Sequence, residues 1–485
     1  MEKLNNFLIS EQRLNNYSLY GEEMKEYFKI HLPEEYLPES QYLFHLPYFL
    51  IPINDGKNVF KLEDSDFFEK NLFLNHDGKK CYPFFVHPTT KDLFTKWIGR
   101  KYDFVDGAYS DFEASPLSSF RSLLVTRIKT DENFIVKLSL FDNVANGARH
   151  IDWNSAIGQY EASKITTKAT SITEHIEFFD DIGAFSIQGD RAVYLSERFD
   201  IRIGSRKIDL FGNVIRKIPK SVFVDDGNII CSVASFTSLL RTDGSYIFLA
   251  LKNSGLKPKD FLDKKIFSPI FKTLLNLFEN YGIILEPHCQ NVILELNESF
   301  VPTGKFYYRD FDLTTFDRAR FPFLQKELFF EYIKNRPDRT ILCSNLGMRE
   351  NIGIGFFVHF LGNLIKPCLI SMERQKLISK KDEESYLAEK FDEIKKELTI
   401  IMPLADSEFC ANAEEWIFNS NIFAKIHKSE IPSRLKKLSD NFEFENYQKF
   451  LIYNGIGKKL EYFVSENDIV LGFYENTLCE MWVEK

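Results

Sequence analysis

The sequence predicts an α+β protein with a central antiparallel sheet and a helical C-terminal region. Three stretches carry this prediction. Residues 132–141 alternate apolar and polar side chains, as a strand with one buried face does. Residues 264–282 repeat apolar side chains at helical spacing and end on Gly282, a common helix stop. Residues 380–401 carry the charge pattern of an exposed helix.

A hairpin is predicted directly after the central helix. Its halves are residues 282–296 and 304–316, and the polar stretch NESFVPTG turns between them. At 485 residues the chain is too long for one hydrophobic core, so we expect two or three domains. We expect a mixed N-terminal part, a central part with most strands and a helical C-terminal part, at residues 1–112, 113–328 and 329–485.

The composition disfavours several classes of protein. With 61 basic and 70 acidic residues the net charge is −9, which argues against a nucleic-acid partner but allows a local pocket for a small anion. The seven widely spaced cysteines, without a CxxC, predict free thiols in a reducing compartment. We find no signal-peptide pattern and no apolar run of the roughly 20 residues that a membrane span needs. We therefore expect a cytoplasmic protein without a membrane partner.

Four polar side chains interrupt the apolar stretch GIILEPHCQNVILEL, namely Glu286, His288, Gln290 and Asn291. If residues 292–296 pair with 305–309, Gln290 and Asn291 lie close to Asp310 and Asp312. Two carboxylates beside two amides, with Glu286 nearby, form the oxygen-rich kind of site that Mg²⁺ prefers. The alternative is that these residues cap turns at a sheet edge. The pattern E-x-H-x-Q-N, followed by R-D-F-D, favours the site over the caps.

Lys137 lies inside the apolar strand FIVKLSL, where it either points to solvent or reaches a buried anion. Ser118, Ser119 and Arg121 precede it, and Arg149 follows it. Hydroxyls and guanidinium groups bind phosphate or carboxylate oxygens, so this group is a candidate anion cradle. Each arginine on its own is equally compatible with a surface ion pair.

The stretch VHPTTKDLFTKWIG adds His87, Lys91 and Lys96. These side chains either face a ligand or belong to a loop opening, and the stretch alone does not decide between the two. Seven other histidines have no partner pattern, and we expect structural or surface roles for them; they are His31, His45, His76, His150, His175, His359 and His427. The sequence contains no P-loop, HExxH or GxSxG motif.

Taken together, these motifs resemble the siderophore synthetases that work without a nonribosomal assembly line, the aerobactin-synthetase-like or IucA/IucC family. The matching pieces occur in the family's order over roughly residues 85 to 315: HPTTK, SSFRSL, VKLSLFDNVANGAR, EPHCQN and YRDFD. The most specific element is the pair formed by the last two. The resemblance implies fingers, palm and thumb regions with a kinase-like palm, and leaves open a homodimer.

The resemblance also implies an activity. Enzymes of this family use ATP and Mg²⁺ to activate a carboxylate, usually of citrate or a citrate derivative, as an acyl-adenylate. An amine or hydroxyl then attacks to form an amide or ester, and AMP and pyrophosphate are released. The amine is expected to be a diamine or to derive from an amino acid.

The site residues that the resemblance implies fall into three groups. The catalytic group is His288, Lys137 and Arg149. The group that binds ATP or the carboxylate is Ser118, Ser119, Arg121, Ser122, Lys137, Arg149, His288, Gln290, Asn291, His87 and Lys91. The metal ligands are Glu286, Gln290, Asp310 and Asp312.

The chain departs from the family's motifs at four positions. Phe84 and Phe85 occupy the places of a His-Pro pair, and Ala145 and Ser122 stand where threonine is common. The hydroxyl missing at Ala145 and the imidazole missing at Phe84 bear on the carboxylate pocket, so the resemblance implies a polycarboxylate rather than citrate in particular. The residues expected to bind Mg²⁺ are intact, and so are those expected to bind ATP apart from the serine at position 122.

Two other functions fit parts of the pattern. A small-molecule kinase uses a strand lysine, an acid five residues before an asparagine, and an aspartate in a turn. Lys137, Glu286, Asn291 and Asp310 imitate that set, but no GxGxxG precedes the lysine. The other alternative is a non-catalytic relative that binds a carboxylate or a nucleotide.

Overall fold

The computed structural model describes a mixed helix and sheet fold, as the sequence predicted. The described residues are 2–13, 32–54, 59–98, 101–140, 143–144, 147–148, 150–151, 153–170, 175–194, 207–239, 245–317, 346–347, 353–401, 448–453, 459–464 and 469–474.

The largest sheet has seven antiparallel strands in the order β1-β7-β8-β9-β14-β13-β3. Their bounds are Phe44–His45 (β1), Val59–Leu62 (β3), Phe112–Pro116 (β7), Ser122–Arg127 (β8), Glu132–Lys137 (β9), Asp180–Tyr194 (β13) and Lys207–Lys217 (β14). The predicted strand over 132–141 is confirmed for its first six residues. Phe134, Val136 and Leu138 share one hydrophobic core, whereas Ile135 packs on the other face of the sheet.

A second antiparallel sheet, in the order β4-β5-β2-β6, packs against the first. Its strands are Tyr48–Pro52 (β2), Leu74–His76 (β4), Lys79–Phe85 (β5) and Asp103–Val105 (β6). Aromatic residues join the two sheets: the rings of Tyr82 and Phe185 stack with centroids 3.6 Å apart. One core therefore runs from Phe44 to Ile215, across the predicted boundary at residue 112.

The predicted hairpin is confirmed and belongs to a third sheet, β12-β18-β17-β15. Its strands are Ile176–Phe178 (β12), Ile229–Ser232 (β15), Val292–Leu296 (β17) and Pro302–Tyr308 (β18). Val292 pairs with Tyr308 in antiparallel register, which brings the loop before β17 beside the loop after β18. Two small sheets complete the description. Asn143–Val144 (β10) and Gly147–Ala148 (β11) pair in antiparallel register. Ile283–Ile284 (β16), Thr315–Asp317 (β19) and Leu346–Gly347 (β20) form a sheet in the order β16-β19-β20.

Helices occur at the N-terminus, between the strands and before the C-terminal strands. Their bounds are Glu2–Arg13 (α1), Ser65–Asn71 (α2), Lys91–Ile98 (α3), Trp153–Ala169 (α4), Val233–Phe236 (α5), Tyr246–Ser254 (α6), Pro258–Leu262 (α7), Ser268–Tyr281 (α8), Lys366–Arg374 (α9) and Lys380–Ile401 (α10). π-Helical turns occupy Asp263–Phe267 and Ile354–Ile365. The helix predicted to stop at Gly282 does so, with a left-handed φ of 67° at that glycine.

The expectation that no apolar run has the length of a membrane span is wrong for one helical stretch among the described residues, since Ile354–Arg374 is long and apolar enough to cross a membrane. In the fold it is a core helix, since 67% of its apolar window is buried. Phe356, Phe360 and Leu364 pack there against the aromatic face of the helix α8.

The C-terminal region is not purely helical, and the prediction for it is wrong in this respect. Strands Gln448–Tyr453 (β21), Lys459–Val464 (β22) and Ile469–Tyr474 (β23) form an antiparallel sheet of their own. Alternating apolar residues such as Phe450, Ile452 and Phe463 are the pattern that a strand requires.

The helix α4 lies across one face of the seven-stranded sheet and packs through Ala156 and Ile157 against Val214. Gly212 in β14 permits this approach, because a Cβ atom at that position would lie 2.8 Å from Ala156 Cβ. The polar side of α4 is thereby held over Lys137, the last residue of β9.

Candidate active site

The centre of the candidate site is the buried ammonium group of Lys137. Its Nζ donates hydrogen bonds to Asp310 Oδ1 and to Gln159 Oε1, both at 2.7 Å, and lies 3.7 Å from Asp312 Oδ2. The lysine side chain is 2% exposed, whereas Asp310 is 27% and Asp312 is 32% exposed. The solvent-facing alternative for Lys137 is therefore wrong, and the two carboxylates form the open side of the site.

Local structure explains how these groups meet. Lys137 ends β9 on the face of the sheet opposite Val136, so it points under α4 rather than into the aromatic core. Asp310 follows the end of β18 and has a left-handed φ of 74°. Aspartate tolerates that conformation better than most residues do, and such backbone strain clusters at functional sites.

A buried ion pair adjoins Lys137 that sequence reasoning missed. Arg216 donates from Nε to Asp181 Oδ1 at 2.6 Å and from Nη2 to Asp181 Oδ2 at 3.2 Å. The same Nη2 lies 3.7 Å from Asp310 Oδ1. Asp181 and Arg216 are register partners in β13 and β14, so only the strand pairing shows that these two charges belong together.

The Lys137 cluster, as we call it, consists of three cations and three carboxylates: Lys137, Arg121, Arg216, Asp181, Asp310 and Asp312. Burial would raise the pKa of the Asp310 carboxyl, but the nearby Lys137 and Arg216 outweigh it and hold that pKa well below its usual range. Burial lowers the pKa of the Lys137 ammonium group, and Asp310 opposes this effect. The formal charges cancel, so the cluster is neutral as it stands.

A second polar network lies beside Asp310, and it is closed in that its Glu11, Ser118 and Arg309 side chains are all buried. Glu11 of the helix α1 accepts hydrogen bonds from Ser118 Oγ at 2.7 Å and from Arg309 Nη2 at 3.0 Å, and its Oε2 lies 2.9 Å from Arg309 Nη1. Gln290 Nε2 donates to Ser118 Oγ at 3.2 Å, and Arg309 Nε donates to the Gln290 carbonyl at 3.1 Å. We call these four residues the Glu11 network. No sequence signal pointed to Glu11, whereas Arg309 is the first residue of the motif RDFD.

The predicted Ser/Arg cradle is divided between the two networks. Ser118 belongs to the Glu11 network, while Arg121 Nη2 lies 3.7 Å from Asp312 Oδ2. Ser119 Oγ accepts a hydrogen bond from the backbone N–H of Ser122 and so closes the turn between β7 and β8. Phe120, at the corner of this turn, has a left-handed φ of 63°.

The loop before β17 holds its polar side chains by backbone contacts. Gln290 N–H donates to His288 Nδ1 at 3.1 Å, so a neutral His288 ring carries its proton on Nε2. Asn291 Nδ2 donates to the Glu286 carbonyl at 3.1 Å. The side chain of Cys289 packs in the hydrophobic core, and Cys81, Cys231 and Cys368 are buried thiols as well.

His359, for which the sequence predicted only a structural or surface role, lies against this loop. Its Nε2 is 3.5 Å from Glu286 Oε1, and its ring centroid is 6.4 Å from that of His288. Burial, and then the charge of His288, lower the pKa of His359 to about 3. His359 sits in the π-helical segment, a feature that is frequent at functional sites.

His87 and Lys91 lie apart from both networks. His87 Nδ1 accepts from Thr89 N–H at 3.3 Å and caps a short helical turn, and burial lowers the pKa of His87 to about 3. Lys91 Nζ is 3.6 Å from Asp106 Oδ2. Within the described residues neither side chain bonds to the Lys137 cluster, so their role in ligand binding stays a prediction.

Of the departures from the family's motifs, Phe84 and Phe85 are explained by the core. Both are buried in β5, and Phe84 packs on Phe94 while Phe85 packs on Phe112. Arg149 and Ala145 lie outside the described residues.

Two of the four predicted metal ligands fit Mg²⁺ in this arrangement. Asp310 and Asp312 both flank Lys137 Nζ and both reach solvent, and one or two carboxylates are what a magnesium–nucleotide site commonly uses. The Glu286 carboxylate faces His359, and the Gln290 amide nitrogen is bonded to Ser118. In the part of the chain described, the one group of three acids or histidines whose ligand atoms converge is His76, Asp77 and Asp103, which is distant in the fold on β4 and β6.

Solved structures of siderophore synthetases share this fold. The chain matches ATP-bound aerobactin synthetase IucA from a hypervirulent pathotype of Klebsiella pneumoniae with a TM-score of 0.59 and 15% identity, over 81% of this chain and 69% of that one. It matches the petrobactin biosynthesis protein AsbB from Bacillus anthracis str. Sterne with a TM-score of 0.55 and 14% identity, over 76% of this chain and 64% of that one. It matches aerobactin synthetase IucC from a hypervirulent pathotype of Klebsiella pneumoniae with a TM-score of 0.51 and 15% identity, over 76% of this chain and 65% of that one.

One protein-family model also matches part of the chain. Residues 264–380 match the family described as "Ferric iron reductase FhuF-like transporter", a segment that contains both the EPHCQN and the RDFD motifs. No curated protein matches the chain.

The resemblance seen in the motifs is thus confirmed at the level of the fold, which is that of the siderophore synthetases that work without a nonribosomal assembly line. The α+β class is confirmed with it. The division into fingers, palm and thumb stays a prediction.

Proposed function

We propose that this protein is an ATP-dependent siderophore synthetase. It adenylates a carboxylate of citrate or a related polycarboxylate, condenses it with an amine or hydroxyl, and releases AMP and pyrophosphate. One observation carries the proposal: in a fold shared with such synthetases, a buried lysine is held between two solvent-reaching carboxylates, Asp310 and Asp312.

Charge balance suggests how the Lys137 cluster receives its substrates. The cluster is neutral without ligands, so a bare triphosphate would meet as many carboxylates as cations. If Mg²⁺ were bound by Asp310 and Asp312, it would neutralise the two carboxylates. The positive charges of Lys137 and Arg121 would then be available to the anionic substrates. Bound Mg·ATP supplies an electrophilic α-phosphate and a pyrophosphate leaving group.

The residues around the cluster then have distinct roles. Lys137 and Arg149 offset the repulsion between the attacking carboxylate and the phosphates, and a buried cation does so more effectively than one in water. Arg121, with the hydroxyls of Ser119 and Ser122, orients phosphate or carboxylate oxygens. His288 adds a hydrogen-bond donor from Nε2 toward the anionic oxygens of the reacting groups. Much of the rate comes from holding two anions in contact.

The Glu11 network positions these groups rather than binding substrate. It fixes Gln290 and Arg309, and through them the two loops that carry His288 and Asp310. The expected substrates are a polycarboxylate and an amine derived from a diamine or an amino acid. A cytoplasmic location and a homodimer belong to the same proposal.

The products distinguish this proposal from the two alternatives. The enzyme is incubated with ATP, Mg²⁺, citrate and hydroxylamine as a trapping amine, and the nucleotides are separated chromatographically. We expect AMP, pyrophosphate and a hydroxamate; succinate and 2-oxoglutarate serve as alternative acids. ADP formation would support a kinase instead, and background turnover with all three acids would support a non-catalytic relative.

A further inference from the structure

A cavity of about 380 Å³ lies next to the start of β13, outside both polar networks. It is lined by the C-terminal turn of α4, by β12 and by the segment that follows β14. Its apolar wall includes Ile176, Phe178 and Ile218. The volume lies within the range of sites for small molecules, and mixed apolar and polar walls are usual for them.

Asp180 lines this cavity and is not neutralised in the fold. Its Oδ1 is buried and has no hydrogen-bond partner among the residues that the structure describes. The neighbouring Asp181, by contrast, points to the other face of the strand and is paired with Arg216 at two positions. Burial, and then the charges of Asp181 and Glu63, raise the pKa of Asp180 to about 7.

The other charged groups at the cavity have partners or lie in solvent. Lys217 bonds to Asp64 at 2.5 Å, although it is the register partner of Asp180. Glu177 accepts from Ser221 at 2.6 Å and pairs with Lys305. The ammonium group of Lys220 belongs to an exposed residue. Among the charged residues that line this cavity, Asp180 is therefore the one with a buried oxygen atom that lacks a hydrogen-bond partner within the described residues.

The hydroxyl groups in the wall also favour a ligand that donates hydrogen bonds. Thr167 Oγ1 donates to the Ser163 carbonyl at 3.0 Å, and Thr170 Oγ1 donates to the Thr166 carbonyl at 2.7 Å. Because their protons are used inside α4, both hydroxyls offer only lone pairs to the cavity. An anion would find no free buried donor among these groups, whereas an ammonium group would find three oxygen acceptors.

We propose that this cavity binds a short aliphatic primary amine, whose ammonium group pairs with the Asp180 carboxylate and whose carbon chain lies on Ile176, Phe178 and Ile218. The site is separate from the proposed catalytic one, since Asp180 and Asp181 face opposite sides of β13. The inference does not require adenylating activity.

Butylamine is a suitable probe, and isothermal titration calorimetry at pH 8 measures its binding to the full chain. We expect one site in the wild type. Asp180→Asn keeps the shape of the side chain and removes its charge, and we expect it to weaken binding at least about tenfold. Asp225→Asn removes the same charge from an exposed position and is expected to leave the affinity within about twofold of wild type.

Two further measurements use the wild-type protein, so they do not depend on how well Asp180→Asn folds. Butan-1-ol, which has a similar size but no charge, is expected not to bind the wild-type protein. Butylamine affinity is expected to fall as the pH drops below about 7, because a protonated Asp180 cannot form the ion pair. Glu177, Lys217 and Lys220 also face this cavity, and the Asp180→Asn protein should lack the pH dependence that Asp180 causes.

The proposal would be overturned by butylamine binding that is equal in wild type and Asp180→Asn, or by no binding to the wild type. Loss of butylamine binding in Asp310→Asn, with binding retained in Asp180→Asn, would place the amine in the catalytic site and overturn it as well. None of these results bears on whether the protein forms an acyl-adenylate.

Discussion

The two polar networks of the candidate site contain similar groups and differ in exposure. In the Glu11 network the side chains of Glu11 and Arg309 are 0% and 6% exposed, and the Glu11 carboxylate is fully engaged. In the Lys137 cluster two carboxylates, Asp310 and Asp312, reach solvent and make looser contacts of up to 3.7 Å. A closed network holds a structure, whereas an open one is able to exchange its partners for substrate.

The comparison also shows that residues of the matching motifs do not all have the same role. Ser118 and Gln290 belong to two of the motifs that carry the resemblance, SSFRSL and EPHCQN, yet in this structure their side chains bond to each other beside Glu11. Lys137 and Asp310 come from two other matching motifs, VKLSLFDNVANGAR and YRDFD, and form the open cluster. We therefore expect changes in the open cluster to act on catalysis and changes in the closed one to act on stability.

The largest expected effect is that of Asp310→Ala on activity. Loss of this carboxylate removes a predicted Mg²⁺ ligand and the partner of Lys137, and we expect carboxylate-dependent pyrophosphate release to fall about a thousandfold or more. A coupled pyrophosphate assay measures it, with Asp66→Ala, at an exposed position of α2, as the control. Near-normal turnover in a folded Asp310→Ala protein would remove the cluster from the catalytic site.

Glu11→Ala tests the closed network and should act on stability. It leaves the buried Arg309 charge without its carboxylate, for which we expect a loss of about 3–5 kcal/mol in the free energy of unfolding. Urea unfolding followed by circular dichroism measures this loss. Glu69→Ala, which breaks the exposed pair with Lys80, is the matched control and should cost less than about 1 kcal/mol. Equal effects of the two changes would contradict the stabilising role of the Glu11 network.

Gly212→Ala tests the packing that holds Gln159 over the open cluster. The new methyl group meets Ala156 Cβ, and we expect a loss of about 1–3 kcal/mol in stability, together with a lower kcat. The double variant Gly212→Ala, Ala156→Gly should recover part of the lost stability and part of the lost kcat. The recovery is measured against Ala156→Gly alone, because glycine by itself lowers helix stability. Thermal unfolding measures the stability and the pyrophosphate assay measures kcat. If the effects of the two single changes simply add in the double variant, the contact between residues 212 and 156 does not cause the losses.

The smallest expected effect is that of Arg121→Lys. Lysine keeps the charge but cannot reach both Asp312 and the His150 carbonyl, so we expect the KM for ATP or carboxylate to rise about fivefold to tenfold with little change in stability. Steady-state kinetics with each substrate varied in turn measures it. A loss of stability with unchanged kinetics would assign Arg121 to the structural part of the site.

Local patterns in the sequence were sufficient for the strand that carries Lys137, the helix that ends at Gly282 and the hairpin that carries Asp310. They were sufficient because alternation, helical spacing and turn residues are encoded within a few positions. The partners of those groups were not predictable in the same way. Glu11 and Arg309 are 298 positions apart, and the Arg216–Asp181 pair depends on strand register. The strands at residues 448–474 were missed although their sequence alternates.

The central claim is that these residues help a carboxylate attack the α-phosphate of ATP. It is tested most directly with citrate whose carboxylate oxygens are ¹⁸O-labelled, incubated with the protein, Mg·ATP and hydroxylamine. If the carboxylate displaces pyrophosphate and the amine then displaces AMP, the released AMP carries one ¹⁸O atom, which mass spectrometry detects. Label in inorganic phosphate with ADP as the nucleotide product would show attack on the γ-phosphate and would contradict the claim.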